Sequence, residues 1–331
     1  MILYEYKGYH FTSNICTTKD GRNLFLVVKM RNRSTVMTPR ISSWEYTEDE
    51  YVSFIRENQI PCAMLILDDF SMLSRIPEIQ MLELLPSFQA PNHVSYEPVY
   101  EMPNLRMINP RTIYGEDDRK WTEFDCGRLE SAGKVEYFSA NCRKGIKNIN
   151  ALSNLKSLLL SGYNASDLHD VVGSDTLDTI SILMGKMESL NGIEQTNALK
   201  VLQIQDCYGL SDISALSNAG ASLQGLVLEN CRKIRDYSVL GELRELRRLS
   251  LIGTGSVSSL SFIEKLPKLE TLLLTMNVDD GDLSVCDRIH TVRIWPNRRH
   301  FNRKAENFPK RGLDEITRGD ENVEDWRRRV I

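Results

Sequence analysis

The sequence predicts an α/β solenoid, a stack of short coils with one parallel strand each, and three observations lead there. First, a frame of apolar-x-x-apolar-x-apolar-x-x-(Asn, Cys or a substitute) recurs eight times across residues 135–297, beginning at Val135, Leu155, Leu177, Leu199, Leu223, Leu246, Leu269 and Ile289. Second, successive frames start 20 to 24 residues apart, within the span of about 20 to 29 residues that marks leucine-rich repeats. Third, each frame is followed by apolar residues about every third position, as in Leu210, Ile213, Leu216 and Ile234, Tyr237, Leu240. That step suits tight 3₁₀ turns better than long helices. The expected fold is a leucine-rich-repeat horseshoe with a parallel concave sheet, short or 3₁₀ helices on the convex side, and caps at both ends.

The clearest copies are Leu199-x-x-Leu202-x-Ile204-x-x-Cys207, Leu223-x-x-Leu226-x-Leu228-x-x-Cys231, Leu269-x-x-Leu272-x-Leu274-x-x-Asn277 and Ile289-x-x-Val292-x-Ile294-x-x-Asn297. Alternate residues of a strand point to opposite faces, so Leu202 and Ile204 should enter the coil while Val201, Gln203 and Gln205 face out. The ninth place turns the corner. Asn there is expected to bond the backbone of neighbouring coils, with Cys as a small buried substitute. Arg143, Tyr163 and Gly185 depart from the rule and predict irregular turns.

Residues 1–58 carry no repeat and are expected to form a hairpin-plus-helix cap that shields the first coil. Lys19-Asp20-Gly21-Arg22 places a turn between an aromatic-rich stretch at 4–11 and an apolar run at 24–28. Thr47-Glu48-Asp49-Glu50 matches a capping box and opens a helix over 48–57, with Tyr51, Phe54 and Ile55 near one face. Residues 59–134 hold degenerate repeats, with weak frames starting at Cys62, Ile79 and Met102 and a charged insertion around Tyr114-Gly115-Glu116-Asp117-Asp118-Arg119-Lys120. Residues 135–297 are the regular repeats. Over 298–331 the frame stops and 10 Lys or Arg mix with 7 Asp or Glu, the composition of a charged cap or tail anchored by Phe301, Phe308 and Trp326.

Composition narrows the function. A formal charge of -4 names no polyanionic partner, and Arg298-Arg299 and Arg327-Arg328-Arg329 have acidic neighbours and no interleaved stacking aromatics, so no nucleic acid is expected. The N-terminal stretch lacks a signal-peptide pattern and no apolar run is long enough to span a membrane, so the expectation is a cytoplasmic protein without a membrane partner. Seven cysteines without close pairs fit reduced thiols. The five histidines, His10, His93, His169, His290 and His300, lack metal-ligand spacing. Cys207 and Cys231 occupy corner places and read as structural. Asp279-Asp280-Gly281-Asp282 reads as a turn, since the remaining ligands of a calcium loop are missing. Gly253-Thr254-Gly255 does not continue into a phosphate-binding loop. No catalytic residue, metal or cofactor is expected.

Surface remains. Eight stacked strands offer a strip about 34 Å long, enough for a standard protein interface. Its expected partner-binding residues are Leu159, Leu183, Gln203, Gln205, Asp206, Val227, Glu229, Asn230, Ile252, Leu273, Met276, Arg293 and Trp295, with Trp295 and Arg293 as the first anchors. Leu159, Leu183, Ile252, Leu273, Met276 and Trp295 are expected to be exposed, and Met184 stands beside them at an eighth place.

Two segments sharpen the expectation. Leu210-Ser211-Asp212-Ile213-Ser214-Ala215-Leu216 and Ile146-Lys147-Asn148-Ile149-Asn150-Ala151-Leu152 resemble the short repeats of internalins and of phosphatase-regulating leucine-rich proteins, which implies short or 3₁₀ helices on the convex side. The stretch from Glu229 to Gly241, Leu260-Ser261-Phe262-Ile263 before Leu266-Pro267-Lys268-Leu269, Asp280-Gly281-Asp282-Leu283 and Arg298-Arg299-His300-Phe301 resemble a group of bacterial cytosolic leucine-rich proteins. Some of that group look like immunity partners of secreted toxins. The resemblance implies a cytosolic inhibitor that occludes a toxin domain. The alternatives are a regulatory adaptor or scaffold for another cytosolic protein, and an enzyme with an active site in residues 1–58.

Overall fold

A computed structural model describes residues 2–6, 9–12, 15–18, 23–24, 27–29, 34–38, 41–46, 48–57, 59, 61–86, 90–111, 121–142 and 145–308. The chain divides into two compact units, Met1–Leu160 and Ser161–Val330.

In the second unit every frame becomes a strand beginning at its third place. Thr179–Leu183, Val201–Gln205, Gly225–Glu229, Arg248–Ile252, Thr271–Leu274 and Thr291–Ile294 pair in parallel, each with the next. The register stacks Ile180, Leu202, Leu226, Leu249, Leu272 and Val292 in one row. That row and the row two residues on, Ile182 to Ile294, are buried throughout. Period-two alternation therefore sets the facing as expected: the fourth and sixth places fill the coil. The fold is a leucine-rich-repeat solenoid.

A backbone device repeats at each end of these strands. At the start, the second-place carbonyl of one coil accepts the amides of the next coil's second and third places, as Asp178 does from Lys200 (2.8 Å) and Val201 (3.0 Å). At the end, the eighth place takes a left-handed conformation in Gly162, Met184, Asp206, Asn230 and Gly253. Its amide then reaches the seventh-place carbonyl of the following coil at 2.8–2.9 Å for Gly162, Met184, Asp206 and Asn230. Gly, Asp and Asn tolerate that region, whereas Met does so at some steric cost.

Opposite the strands lie 3₁₀ turns, Ile193–Gln195, Ser214–Ala219, Ser238–Glu242, Ser261–Lys265 and Ser284–Arg288. A side-chain oxygen introduces several of them by accepting an amide two residues on: Asp212 from Ser214 (2.9 Å), Asp236 from Ser238 (2.8 Å), Asp282 from Ser284 (2.9 Å) and Ser259 from Ser261 (3.1 Å). These are Asx-type turns, in which a short polar side chain replaces a missing backbone partner. An Asp-x-Ser spacing in the sequence encodes three of them, at 212–214, 236–238 and 282–284.

The ninth-place corner works for cysteine. Cys207 and Cys231 are buried; Cys207 Sγ accepts the Gly185 amide of the preceding coil at 3.3 Å, and Cys231 Sγ donates to the Ile204 carbonyl at 3.8 Å. The expectation for asparagine is corrected. Asn277 Nδ2 donates to the Asp279 side chain at 2.8 Å, and Asn297 serves the cap, its Oδ1 accepting the Ala305 amide at 2.7 Å. Gly185 is corrected too, since its turn keeps the same left-handed eighth place as its neighbours. A Cβ on Gly185 would meet Cys207 Sγ at 3.1 Å, so the missing side chain makes room for the thiol of the next coil. Arg143 lies outside the described residues.

Past the last coil, Phe301 and Phe308 are buried, while Trp326 lies outside the described residues. Asn302 donates its amide to the Gly281 carbonyl at 2.9 Å and accepts the Leu283 amide at 2.8 Å. Gly281, at φ 69°, has no room for a Cβ beside the His300 carbonyl, 2.5 Å from where it would sit. Residues 279–282 form the expected turn, with Asp280 and Asp282 both accepting backbone amides.

In the first unit, Val27–Lys29, Cys62–Leu67, Met81–Pro86, Met107–Arg111 and Tyr137–Asn141 form a parallel ladder in that order. Pairing shifts two of the weak frames. Ala63 and Leu65 stand opposite Leu82 and Leu84, so the first frame starts at Ile60 rather than Cys62. Ile108 stands opposite Leu82 and Phe138, so the third starts at Leu105 rather than Met102. The frame at Ile79 is correct. Tyr96 anchors an aromatic core with Phe70, Trp121 and Phe124, meeting the last edge-on at 4.9 Å between centroids.

The N-terminal segment holds more sheet than the expected hairpin. Ile2–Tyr6, Tyr9–Thr12, Ile15–Thr18 and Asn23–Leu24 form an antiparallel meander, and Ser34–Thr38 pairs with Ile41–Tyr46. Among the described residues the expected partners, 4–11 and 24–28, do not pair with each other; the aromatic stretch pairs within itself, and Val27–Lys29 joins the parallel ladder instead. The helix is Glu48–Glu57, burying Val52 and Ile55. Thr47, the insertion at 112–120 and the side chains of Tyr51 and Phe54 lie outside the described residues.

Candidate functional site

The outward rows of the second unit hold the candidate residues, and neighbouring strands decide how much of each remains free. At the fifth place Ser181, Gln203, Val227, Ser250, Leu273 and Arg293 stand side by side in register. Gln203 is only 8% exposed and Val227 4%, so both correct the expectation of free contact residues. Row neighbours flank each of them at strand spacing. Ser181 Oγ donates to Gln203 Oε1 at 2.9 Å, and Val227 packs against Val201. Toward the end of the row the cover thins: Leu273 is partly exposed and Arg293 exposed.

The seventh-place row is more open. Leu183, Gln205, Glu229 and Ile252 are partly exposed and in register. Trp295, at the same place of the last frame, is 74% exposed. Leu159, in the first unit, is partly exposed.

Eighth-place residues divide. Asp206 and Asn230 are partly exposed and joined, Asn230 Nδ2 donating to Asp206 Oδ1 at 2.8 Å. Met276 corrects the expectation of exposure, being 6% exposed. Its coil lacks the left-handed eighth place, its side chain turns inward, and Tyr237 Oη donates to its Sδ at 3.8 Å. Met184 and Tyr208, by contrast, are 43% and 52% exposed. Tyr208 is a residue that sequence reasoning missed, because the repeat frame ends at Cys207 and gives the next residue no facing.

Electrostatics single out one carboxylate. Partial burial, and then the nearby Asp206, push the Glu229 carboxyl above its ordinary range. No described Lys or Arg forms an ion pair with Glu229 or Asp206. The thiols of the corner residues Cys207 and Cys231, and of Cys286 in the turn Ser284–Arg288, are more deeply buried and unreactive: desolvation pushes Cys207 up to about 11 and Cys231 and Cys286 up to about 12. Among the described residues no group of His, Cys, Asp and Glu is arranged to hold a metal ion, and no helix is long and apolar enough to cross a membrane.

Fold and surface together define a leucine-rich-repeat protein. No family model and no curated protein matches the sequence. Solved structures similar to the chain include an internalin from Listeria monocytogenes, with 16% identity over 79% of this chain and 88% of that one at a TM-score of 0.43. Internalin C2 of the same organism shares 21% identity over 51% of this chain and 77% of its own, at a TM-score of 0.41. A leucine-rich-repeat protein of Leptospira interrogans shares 13% identity over 70% and 76%, at a TM-score of 0.29.

Proposed function

We propose that the chain is a non-enzymatic protein-binding solenoid of the bacterial cytoplasm, in which the last strands of the outward sheet face grip a partner protein. The observation that carries this reading is Trp295, the most exposed large apolar side chain among the described residues, on the strand that also carries exposed Arg293. Solvent gives no reason to keep an indole in water, whereas interface energy concentrates in Trp and Arg. Partly exposed Leu273 beside Arg293 extends the apolar contact. Buried, proton-holding thiols supply no nucleophile to set against a binding role.

The sharper reading is an immunity protein that occludes a toxin domain, supported by the likeness of residues 229–241, 260–269, 280–283 and 298–301 to bacterial cytosolic leucine-rich proteins. The test mixes the purified chain with the toxin domain encoded beside it in the host genome. Binding with loss of toxin activity, both weakened by Trp295→Ala, supports the immunity reading. Binding without inhibition replaces it by an adaptor, and no binding removes it.

A further inference from the structure

A second surface of the Ser161–Val330 unit lies where its strands end. Met184 and Tyr208 are, with Trp295, the exposed large apolar residues among those described, and they belong to successive coils. Between them stands Asp206, whose backbone is tied to both sides: Met184 donates its amide to the Gln205 carbonyl at 2.9 Å, and Asp206 its own to the Glu229 carbonyl at 2.9 Å. The Asp206 side chain is fixed as well. Tyr208 Oη and Asn230 Nδ2 both donate to its Oδ1, at 3.1 and 2.8 Å. The Arg232 guanidinium lies 5.2 Å from the Tyr208 ring centroid, a cation–π distance, and makes no ion pair with Asp206 or Glu229 among the described residues.

Glu229 completes the strip. It stands next to Asp206 with no ion-pair partner among the described residues, so two like charges share a partly desolvated rim. A chain that merely needed solubility would leave such carboxylates in open water. Here they are pre-positioned, flanked by apolar surface, and joined to no cation by an ion pair among the described residues. A lone exposed apolar side chain is ordinary; two of them bracketing an unneutralised carboxylate pair make a surface complementary to a basic, partly apolar segment. Nucleic acid and anionic lipid headgroups carry the wrong charge for it.

We infer that Met184, Asp206, Tyr208 and Glu229 form a second docking strip that takes a basic segment of a partner protein, with a Lys or Arg entering between the two carboxylates and neighbouring apolar side chains lying on Met184 and Tyr208. This rests on the protein-binding reading above but uses coils whose strands stand at least three places away from that of Trp295 in the sheet.

The test uses the full chain and a short labelled peptide alternating Lys and Leu, read by fluorescence anisotropy, beside a peptide alternating Glu and Leu, and spermine as competitor. The Lys peptide should bind and the Glu peptide should not. The pair Asp206→Asn and Glu229→Gln should weaken binding about tenfold, as should Tyr208→Ala, while Trp295→Ala leaves it unchanged. Equal affinity for the carboxamide pair overturns the strip, as does equal binding of the Glu peptide. Spermine displacing the peptide at concentrations where it matches the peptide's own affinity reduces the strip to a cation trap and overturns the protein segment. Loss of peptide binding on Trp295→Ala alone sinks the strip and leaves the broader reading standing.

Discussion

The backbone amide of Gly185 donates to the Sγ of Cys207 at 3.3 Å, joining the corners of two successive coils. Sulfur is a weak acceptor, but the amide it serves has no water to turn to. Cys207→Ala is therefore expected to cost about 1–3 kcal/mol, the penalty of an unsatisfied buried amide, read as a lower urea midpoint. Cys207, Cys231 and Cys286 hold their protons to about 11, 12 and 12 because burial penalises the thiolate. In the native protein at mildly alkaline pH they should resist a thiol reagent until denaturant is added. Rapid native-state labelling of Cys207 would refute the corner assignment.

Leu226 tests the core. It is fully buried in the row between Leu202 and Leu249. Truncation to Ala should cost about 2–5 kcal/mol as a cavity that the stacked strands cannot collapse. Equilibrium denaturation measures it directly, and a change below about 0.5 kcal/mol, typical of a surface site, would contradict the facing.

Acid should weaken the solenoid through its turns. Asp212 and Asp236 have carboxyls held below the ordinary range, chiefly because each accepts the amide of a Ser two residues on, and Asp282 is held down first by the Ser284 hydroxyl and then by the Ser284 amide. A carboxyl whose native value lies below its unfolded value contributes stability above the ordinary carboxylate range of about 4. That contribution fades as pH falls through the lower native values. Asp212→Asn keeps an amide acceptor but removes the titration, so the variant should show a flatter loss of stability between neutral and strongly acid pH. An unchanged acid slope in the triple Asn variant would remove these turns from the account.

Two outward residues should now part company. Trp295, exposed and without a packing role, should tolerate Ala with a stability change within about 0.5 kcal/mol while partner binding falls. Gln203, buried and bonded to Ser181, should cost about 1 kcal/mol on replacement by Ala. Thermal melts of the two variants, run side by side, decide whether the fifth-place row belongs to the fold or to the partner.

These contrasts show what the sequence could disclose. Facing and phase were legible across 135–297, because Leu, Ile and Val recur where parity demands them and each strand starts at the expected place. Phase failed at the frames placed on Cys62 and Met102, where Ala63 and Pro110 stand at inward places and weaken the apolar pattern. Side-chain parity says which face a residue takes and not how much its neighbours cover it. That is why Gln203, Val227 and Met276 were expected to be freer than they are. Tyr208 escaped notice for the converse reason: a residue just past a corner has no assigned facing until the turn geometry is known.

The ladder that begins at each second-place carbonyl has a further meaning. Since Lys200 reads only Asp178, and Gln224 only Lys200, each rung takes its alignment from the one before, with no master reference elsewhere. Excising one whole rung, from Leu223 through Glu245, would leave Lys200 facing Arg247 with the same donors and acceptors on offer. Length is thus a parameter that this architecture can change by whole steps, as a spiral staircase does, without redrawing what lies above or below the cut.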